Sequence, residues 1–305
     1  MSKVVVGIRA DGRSEPALDF ALQQAARRHL PLQVVHAYEM QIYAEVPTVD
    51  MGGAVGRLHA AEHERGDVAV SAAKERQRVD DVYTSLKVIE TDPVGALVDA
   101  AADADLLVVG SRGGGAARRG LRGSVSAGCL HHVSIPVAVV SAEPPLSRDR
   151  WLRSRVLVGY DGSPAADAAL AWGVAQARGW ECPLVPIIVS ESRVNAPLGL
   201  SADVSAHGGS LSSVLMGRLE AAQSAGLTVH PRYLVGAPAD QLRRSTRPED
   251  LLVLGSRGHG ALASLLMGST SLSVAESAPC LVVVVRAAAS EPTPVDTLVG
   301  AVPGP

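Results

Sequence analysis

The chain has 305 residues, a formal net charge of −3, 47% apolar residues and only 3% aromatics. That length suffices for two domains of ordinary size, each with its own core. The weak charge argues against a protein built to coat nucleic acid, and no stretch reaches the roughly 18 apolar residues of a membrane span.

With a single Phe, Phe20, the core falls to Val, Leu, Ile and Ala. This is the composition of parallel sheets covered on both faces by helices. The three cysteines, Cys129, Cys182 and Cys280, are far apart and form no CxxC pair. Neither a disulfide framework nor a zinc site follows, and a reducing compartment fits. The N-terminus, Met1-Ser2-Lys3 and a short Val run, lacks a signal-peptide layout. A cytoplasmic protein is expected.

In chain order, a buried strand over Val4–Ile8 leads into a helix over about Glu15–His29 and a second strand over Leu32–Ala37. An excursion rich in Gly and Pro precedes a charged helix. A third strand, Val82–Val88, is followed by a helix opened by Pro93, where the missing N–H costs nothing. A fourth strand, Asp105–Val109, runs into a glycine-rich loop; a helix and a last strand, Val137–Val140, close the unit.

The same series then repeats. Its members are strand Val156–Tyr160, helix Ala165–Gly179, strand Leu184–Val189, a polar helix, strand Thr228–Val235, a helix opened by Pro238, strand Asp250–Leu254, a loop and helix, and strand Leu281–Val285. Sliding the chain by 152 positions superposes Gly7 on Gly159 and Pro31-Leu32 on Pro183-Leu184; sliding by 145 superposes Gly110-Ser111-Arg112-Gly113 on Gly255-Ser256-Arg257-Gly258. The second copy is therefore shorter by 152 − 145 = 7 residues, lost between residues 38 and 92. Alternating strands and helices predict two tandem, doubly wound, parallel five-stranded sheets of Rossmann-like α/β type. The domains are expected at 1–141 and 155–286, with a linker over 142–154 and a disordered tail over 287–305 that carries four Pro.

The chemistry concentrates in two loops. One reads Gly110-Ser-Arg112-Gly113, nine residues, Gly123-Ser124; the other Gly255-Ser-Arg257-Gly258, nine residues, Gly268-Ser269-Thr270. Each leaves a buried strand and enters a helix. Glycine lets main-chain N–H groups approach phosphate oxygens, and the helix N-terminus adds further donors. Ser124, Ser269 and Thr270 are candidates to cap that helix or to donate to a phosphate. No Lys follows the final glycine, so neither loop is a Walker loop, and the first strands lack the GxGxxG spacing of a dinucleotide site. Binding is better supported than phosphoryl transfer. His131-His132 lack further ligands at metal spacing, and Ser111 and Ser256 lack an acid–base set.

The pattern Gly-x2-Gly-x9-Gly-Ser after a Val-rich strand, with Val158-Gly159-Tyr160-Asp161-Gly162-Ser163 at the first strand end, resembles the universal stress proteins in their tandem form. The resemblance implies ATP as ligand, with or without Mg²⁺. It implies Asp161 and Gly159 near adenine, Val189 along the base, and Gly255, Arg257, Gly258, Gly268, Ser269 and Thr270 around ribose and phosphates. The corresponding positions in the first half are Gly7, Gly110, Arg112, Gly113, Gly123 and Ser124. It also implies a stress-response regulator rather than an enzyme, with a slow ATPase or a scaffold with vestigial nucleotide sites as the alternatives, and the last strands pairing into a pseudo-dimer within one chain. A homodimer of chains and an unidentified protein partner are further expectations. The halves differ at one place: Arg9 aligns with Asp161, and Asp11 stands two residues late. An arginine offers adenine no acceptor, so the second site is expected to bind better.

Overall fold

A computed structural model describes residues 2–9, 13–39, 51–111, 124–141, 155–190, 208–258 and 267–287. Side chains at 51–55, 124 and 208–210 lie outside that description. The chain divides into two compact units, Met1–Arg148 and Asp149–Pro305.

In unit one the elements run β1 Val4–Gly7, α1 Glu15–Arg28, β2 Leu32–Tyr38, α2 Met51–Gln77, β3 Thr84–Glu90, α3 Pro93–Ala101, β4 Leu106–Gly110, α4 Ser124–His132 and β5 Val137–Val140. Unit two runs β6 Val156–Gly159, α5 Pro164–Trp180, β7 Leu184–Ser190, α6 Gly208–Ser224, β8 Arg232–Val235, α7 Pro238–Ser245, β9 Leu251–Gly255, α8 Ser269–Ser277 and β10 Leu281–Val285. The strand order is β3-β2-β1-β4-β5 in the first unit and β8-β7-β6-β9-β10 in the second. Every described pairing within a unit is parallel.

Burial follows that order. Val4–Val6, Leu106–Val108, Val156–Val158 and Leu251–Val253 have no exposed surface, because helices cover both faces of the central strands. The outer strand β3 alternates between half-buried and exposed positions over most of its length, and β8 is largely exposed. Both third strands begin later than their apolar residues predict. In unit two the cause is Pro231, which has no N–H for a ladder. Upstream of it, Val229 makes only an isolated bridge to Leu184, and β8 starts at Arg232.

The feet of the sheets are pinned by ion pairs of unequal strength. Arg155 grips the buried Asp250 through two bonds, Nε–Oδ1 at 3.1 Å and Nη2–Oδ2 at 2.6 Å. Hydrogen bonding to Asp250 raises the Arg155 guanidinium above its ordinary value. In unit one Lys3 instead meets Asp103, which is exposed, at 2.6 Å. The order in which the strands are laid down reverses between β1 and β4, and again between β6 and β9, although all of them run parallel. In open sheets of this kind the crevice at that reversal, beyond the strand carboxyl ends, is where ligands bind.

Candidate functional site

In unit two the crevice is built from a turn and a loop. The turn follows β6: Tyr160, Asp161, Gly162 and then Ser163, the N-cap of α5. Gly162 has φ +79°, a conformation that glycine adopts without strain. Asp161 Oδ1 accepts the Ser163 N–H at 3.0 Å, closing the turn. Tyr160 is buried and donates to Asp167 at 2.9 Å, and Asp167 pairs with Arg218 of α6 at 2.8 Å. Burial, followed by that bond to Asp167, pushes the Tyr160 phenol up to about 12.

The loop follows β9 and is held on three sides. Ser256, 4% exposed, donates its N–H to Val285 O at 2.7 Å and accepts the Gly268 N–H at 2.7 Å. Ser271 of α8 donates to Gly255 O at 2.6 Å. Both ends of the loop are thereby brought beside Gly255. A Cβ on Gly255 would stand 2.7 Å from the main-chain carbon of Ala165 and 2.9 Å from Ala166 N, in the first turn of α5. Only a bare Cα lets helix and strand end approach so closely.

Turn and loop also touch. Ser163 Oγ donates to Arg257 O at 3.1 Å. A Cβ on Gly258 would lie 2.3 Å from Asp161 Oδ2, so the carboxylate fills the space that glycine leaves open. Asp161, Arg257 and Gly258 are thus brought together, with Gly255 and Gly268 beside them through Ser256. Helix α8 begins at Gly268, its N-cap, and no side chain caps it. Ser269 and Thr270 therefore occupy the first helical positions, which corrects the expectation that they cap. Their N–H groups belong to a first turn whose donors lack intrahelical partners. Ser269 is exposed and Thr270 half-buried.

The remaining candidates sit further out. Val189 is half-buried near the end of β7, on the opposite side of β6 from β9. Gly159 and Gly7 end their strands, but a Cβ there would meet Leu254 Cδ2 at 2.6 Å and Leu97 Cδ1 at 2.9 Å respectively. The room they leave is filled by core leucines.

Sequence reasoning quotes Ser163 in a motif and sets Ser256 aside as a nucleophile, but gives neither a part in the site, and it does not reach Arg286. The first has a sequence signal, Ser-Pro at a helix start. Arg286 has none, because it meets Arg257 only through the sheet. Its guanidinium is held below the ordinary value by burial first and then by the charge of Arg257. Arg257 and Arg286 thus bring two positive charges to the ends of β9 and β10.

Unit one keeps the frame and changes the detail. Ser111 donates to Val140 O at 2.7 Å, as Ser256 does to Val285. Between β1 and α1, however, lie residues 8–14, seven positions, against the four of 160–163. Helix α1 starts three residues late relative to the ungapped repeat. Its N-cap Ser14 makes no capping bond and instead accepts the Arg9 N–H at 2.8 Å. Among the described residues nothing lies within 4 Å of a Cβ built on Gly110, the counterpart of Gly255. The Ile8 carbonyl accepts from His36 Nδ1 at 3.2 Å, and His36 Nε2 lies 2.9 Å from Glu62 of α2. In unit two Ile188 stands where His36 does. Asp11, Arg112, Gly113 and Gly123, the loop arginines 118, 119 and 122, and the side chain of Ser124 lie outside the described residues. Among the described residues no helix is long and apolar enough to cross a membrane.

The universal stress protein family model matches residues 1–141 and 153–286. A universal stress protein of Mycobacterium tuberculosis is 31% identical over 293 residues, covering 93% of this chain and 96% of its own. The crystal structure of a universal stress protein from Archaeoglobus fulgidus superposes with a TM-score of 0.68 at 22% identity, covering 95% of this chain and 98% of that one. A crystal structure of a universal stress protein in complex with cAMP aligns with 46% of this chain and 96% of its own at 32% identity, with a TM-score of 0.33. Two family segments in tandem, together spanning most of the residues, place this chain in the universal stress protein family.

Proposed function

We propose that the chain binds ATP, chiefly in unit two, and that occupancy changes the surface offered to a protein partner instead of leading to turnover. The observation that carries this reading is the contact between Asp161 and the Gly255–Gly258 loop at the strand reversal. A carboxylate there accepts from the adenine amino group and repels the guanine carbonyl. Beyond it, the open first turn of α8 and the positive charge of Arg257 and Arg286 suit phosphates. The choice of binding over turnover rests on the loop itself: no Lys follows Gly268, so the usual cation for phosphoryl transfer is missing from the sequence. The cytoplasm is the compartment where ATP and reduced thiols coexist.

The test has two stages. Denaturing the purified protein and resolving the released nucleotide by ion exchange shows what is carried. Calorimetry with ATP and with GTP then gives preference and stoichiometry. We expect ATP to be preferred, at nearer one site per chain than two because Arg9 has no acceptor to offer, and phosphate release to stop short of multiple turnovers. Equal affinity for GTP would remove Asp161 as the base-reading group. Steady phosphate release would make the protein a slow ATPase.

A further inference from the structure

Ser163 is 4% exposed, yet its single hydroxyl serves two elements. As N-cap of α5 it accepts the Ala166 N–H at 3.2 Å. Its own proton goes to the carbonyl of Arg257, ninety-four residues on, at 3.1 Å. Meanwhile its main-chain N–H is held by Asp161 Oδ1. A trans peptide points its C=O and the next N–H in opposite directions. Holding Arg257 O against Ser163 therefore fixes the Gly258 N–H to point away from Ser163. It also fixes the Gly258 Cα, against which Asp161 Oδ2 rests.

We propose that Ser163 is the positioning residue of the nucleotide site: it joins the turn that carries Asp161 to the loop that carries Gly258, so that the two ends of the ligand are read by one preset frame. This role rests on the ATP reading of unit two. Unit one has no matching device among its described residues, since Ser14 spends its acceptor on the Arg9 N–H and makes no capping bond.

Capping and positioning can be separated. Glycine is a fair N-cap and alanine a poor one, while neither can donate to Arg257, and threonine can do both. Three variants, Ser163→Gly, Ser163→Ala and Ser163→Thr, are compared for melting temperature and for affinity toward ATP and adenosine. Positioning requires that S163G and S163A lose ATP affinity alike, by about three- to tenfold, the worth of one hydrogen bond. Adenosine affinity should change far less, S163T should stay near the parent, and only S163A should melt clearly earlier. Affinity that instead follows melting temperature, falling in S163A but intact in S163G, would reduce Ser163 to a cap and overturn the proposal. Amide exchange of the ligand-free protein gives a readout without nucleotide: the Gly268 N–H, bonded to Ser256 O, should exchange several-fold faster in S163G. Parent protein that fails to bind ATP, with exchange still accelerated, would sink the ATP reading while leaving the frame; unchanged exchange and unchanged affinity would sink the frame.

Discussion

Gly255 and Gly110 occupy the same place in the repeat, the last residue of the strand that enters the loop, yet their surroundings differ. A methyl group on Gly255 would sit 2.7–2.9 Å from three main-chain atoms of Ala165 and Ala166. Carbon contacts are comfortable near 3.5–4.0 Å, so the strand end and α5 would have to part by most of an ångström. Main chain cannot rotate away as a side-chain tip can, and Ser163 and the β6 core hold the helix start in place. Overpacking of this kind costs about 1–3 kcal/mol. On Gly110 the same methyl meets nothing within 4 Å among the described residues, and a lower unfolded-state entropy offsets any loss by about 0.4–1 kcal/mol. The three tryptophans of the chain, Trp151, Trp172 and Trp180, all belong to unit two, so tryptophan fluorescence follows that unit alone. With a urea slope of about 2 kcal/mol/M for a domain of this size, Gly255→Ala should lower the fluorescence midpoint by about 0.5–1.5 M. Gly110→Ala, followed by circular dichroism, should leave the midpoint unchanged or raise it. Equal losses in both variants, or none in Gly255→Ala, would refute the claim that the close approach of α5 demands this glycine.

Three further outcomes follow from the same geometry. Gly258→Ala should displace the Asp161 carboxylate and weaken ATP binding by about 1–3 kcal/mol. In an Asp161→Ala background the same change should add little, and a calorimetric double-mutant cycle with additive losses would separate the two residues. Asp250→Ala should destabilise unit two by about 2–4 kcal/mol by stranding Arg155, whereas Asp103→Ala should leave unit one's denaturation midpoint where it is, because that pair is exposed. Burial pushes the Cys129 and Cys280 thiols up to about 12. The folded protein should therefore react slowly with a thiol reagent at pH 8 and quickly once unfolded. Because the folded values lie above the ordinary 9, the stability these thiols contribute is complete below pH 9 and drains away as pH climbs toward 12.

The fold could be read from the sequence because its signals are local and occur twice. Short Val and Leu runs, separated by helical spacing and entered through Pro93, Pro164 or Pro238, name the elements. What escaped depends on distance across the sheet. Nothing in the spacing of Gly255 tells that α5 lies against it, or that Arg286 comes beside Arg257. The spacing places the third strands two to four residues early: in β3 alternation marks a face without marking an end, and in β8 Pro231 cuts the ladder short. Gly268 was passed over as a cap because Ser and Thr beside it are the commoner choice; the serines that hold the loop act instead from inside it, as Ser256, and from the other turn, as Ser163.

The difference between the halves was first visible as one substitution, Arg9 for Asp161, and the structure enlarges it into a difference in chain length. The turn after β1 takes three more residues than the turn after β6, and α1 gives them up from its start. The signal was present in Ser14-Glu15-Pro16, which copies the Ser163-Pro164 start three residues late. A helix that begins later stands further from the end of its neighbouring strand, and among the described residues none comes within 4 Å of a Cβ on Gly110. Ser14 accepts the Arg9 N–H, while Arg112, the counterpart of Arg257, lies outside the described residues. Returning an acidic group to position 9 would therefore restore only one part of the site. The shortened approach of α1, the serine bridge and the carboxylate against glycine belong together, so a single Arg9→Asp change should leave unit one well short of unit two.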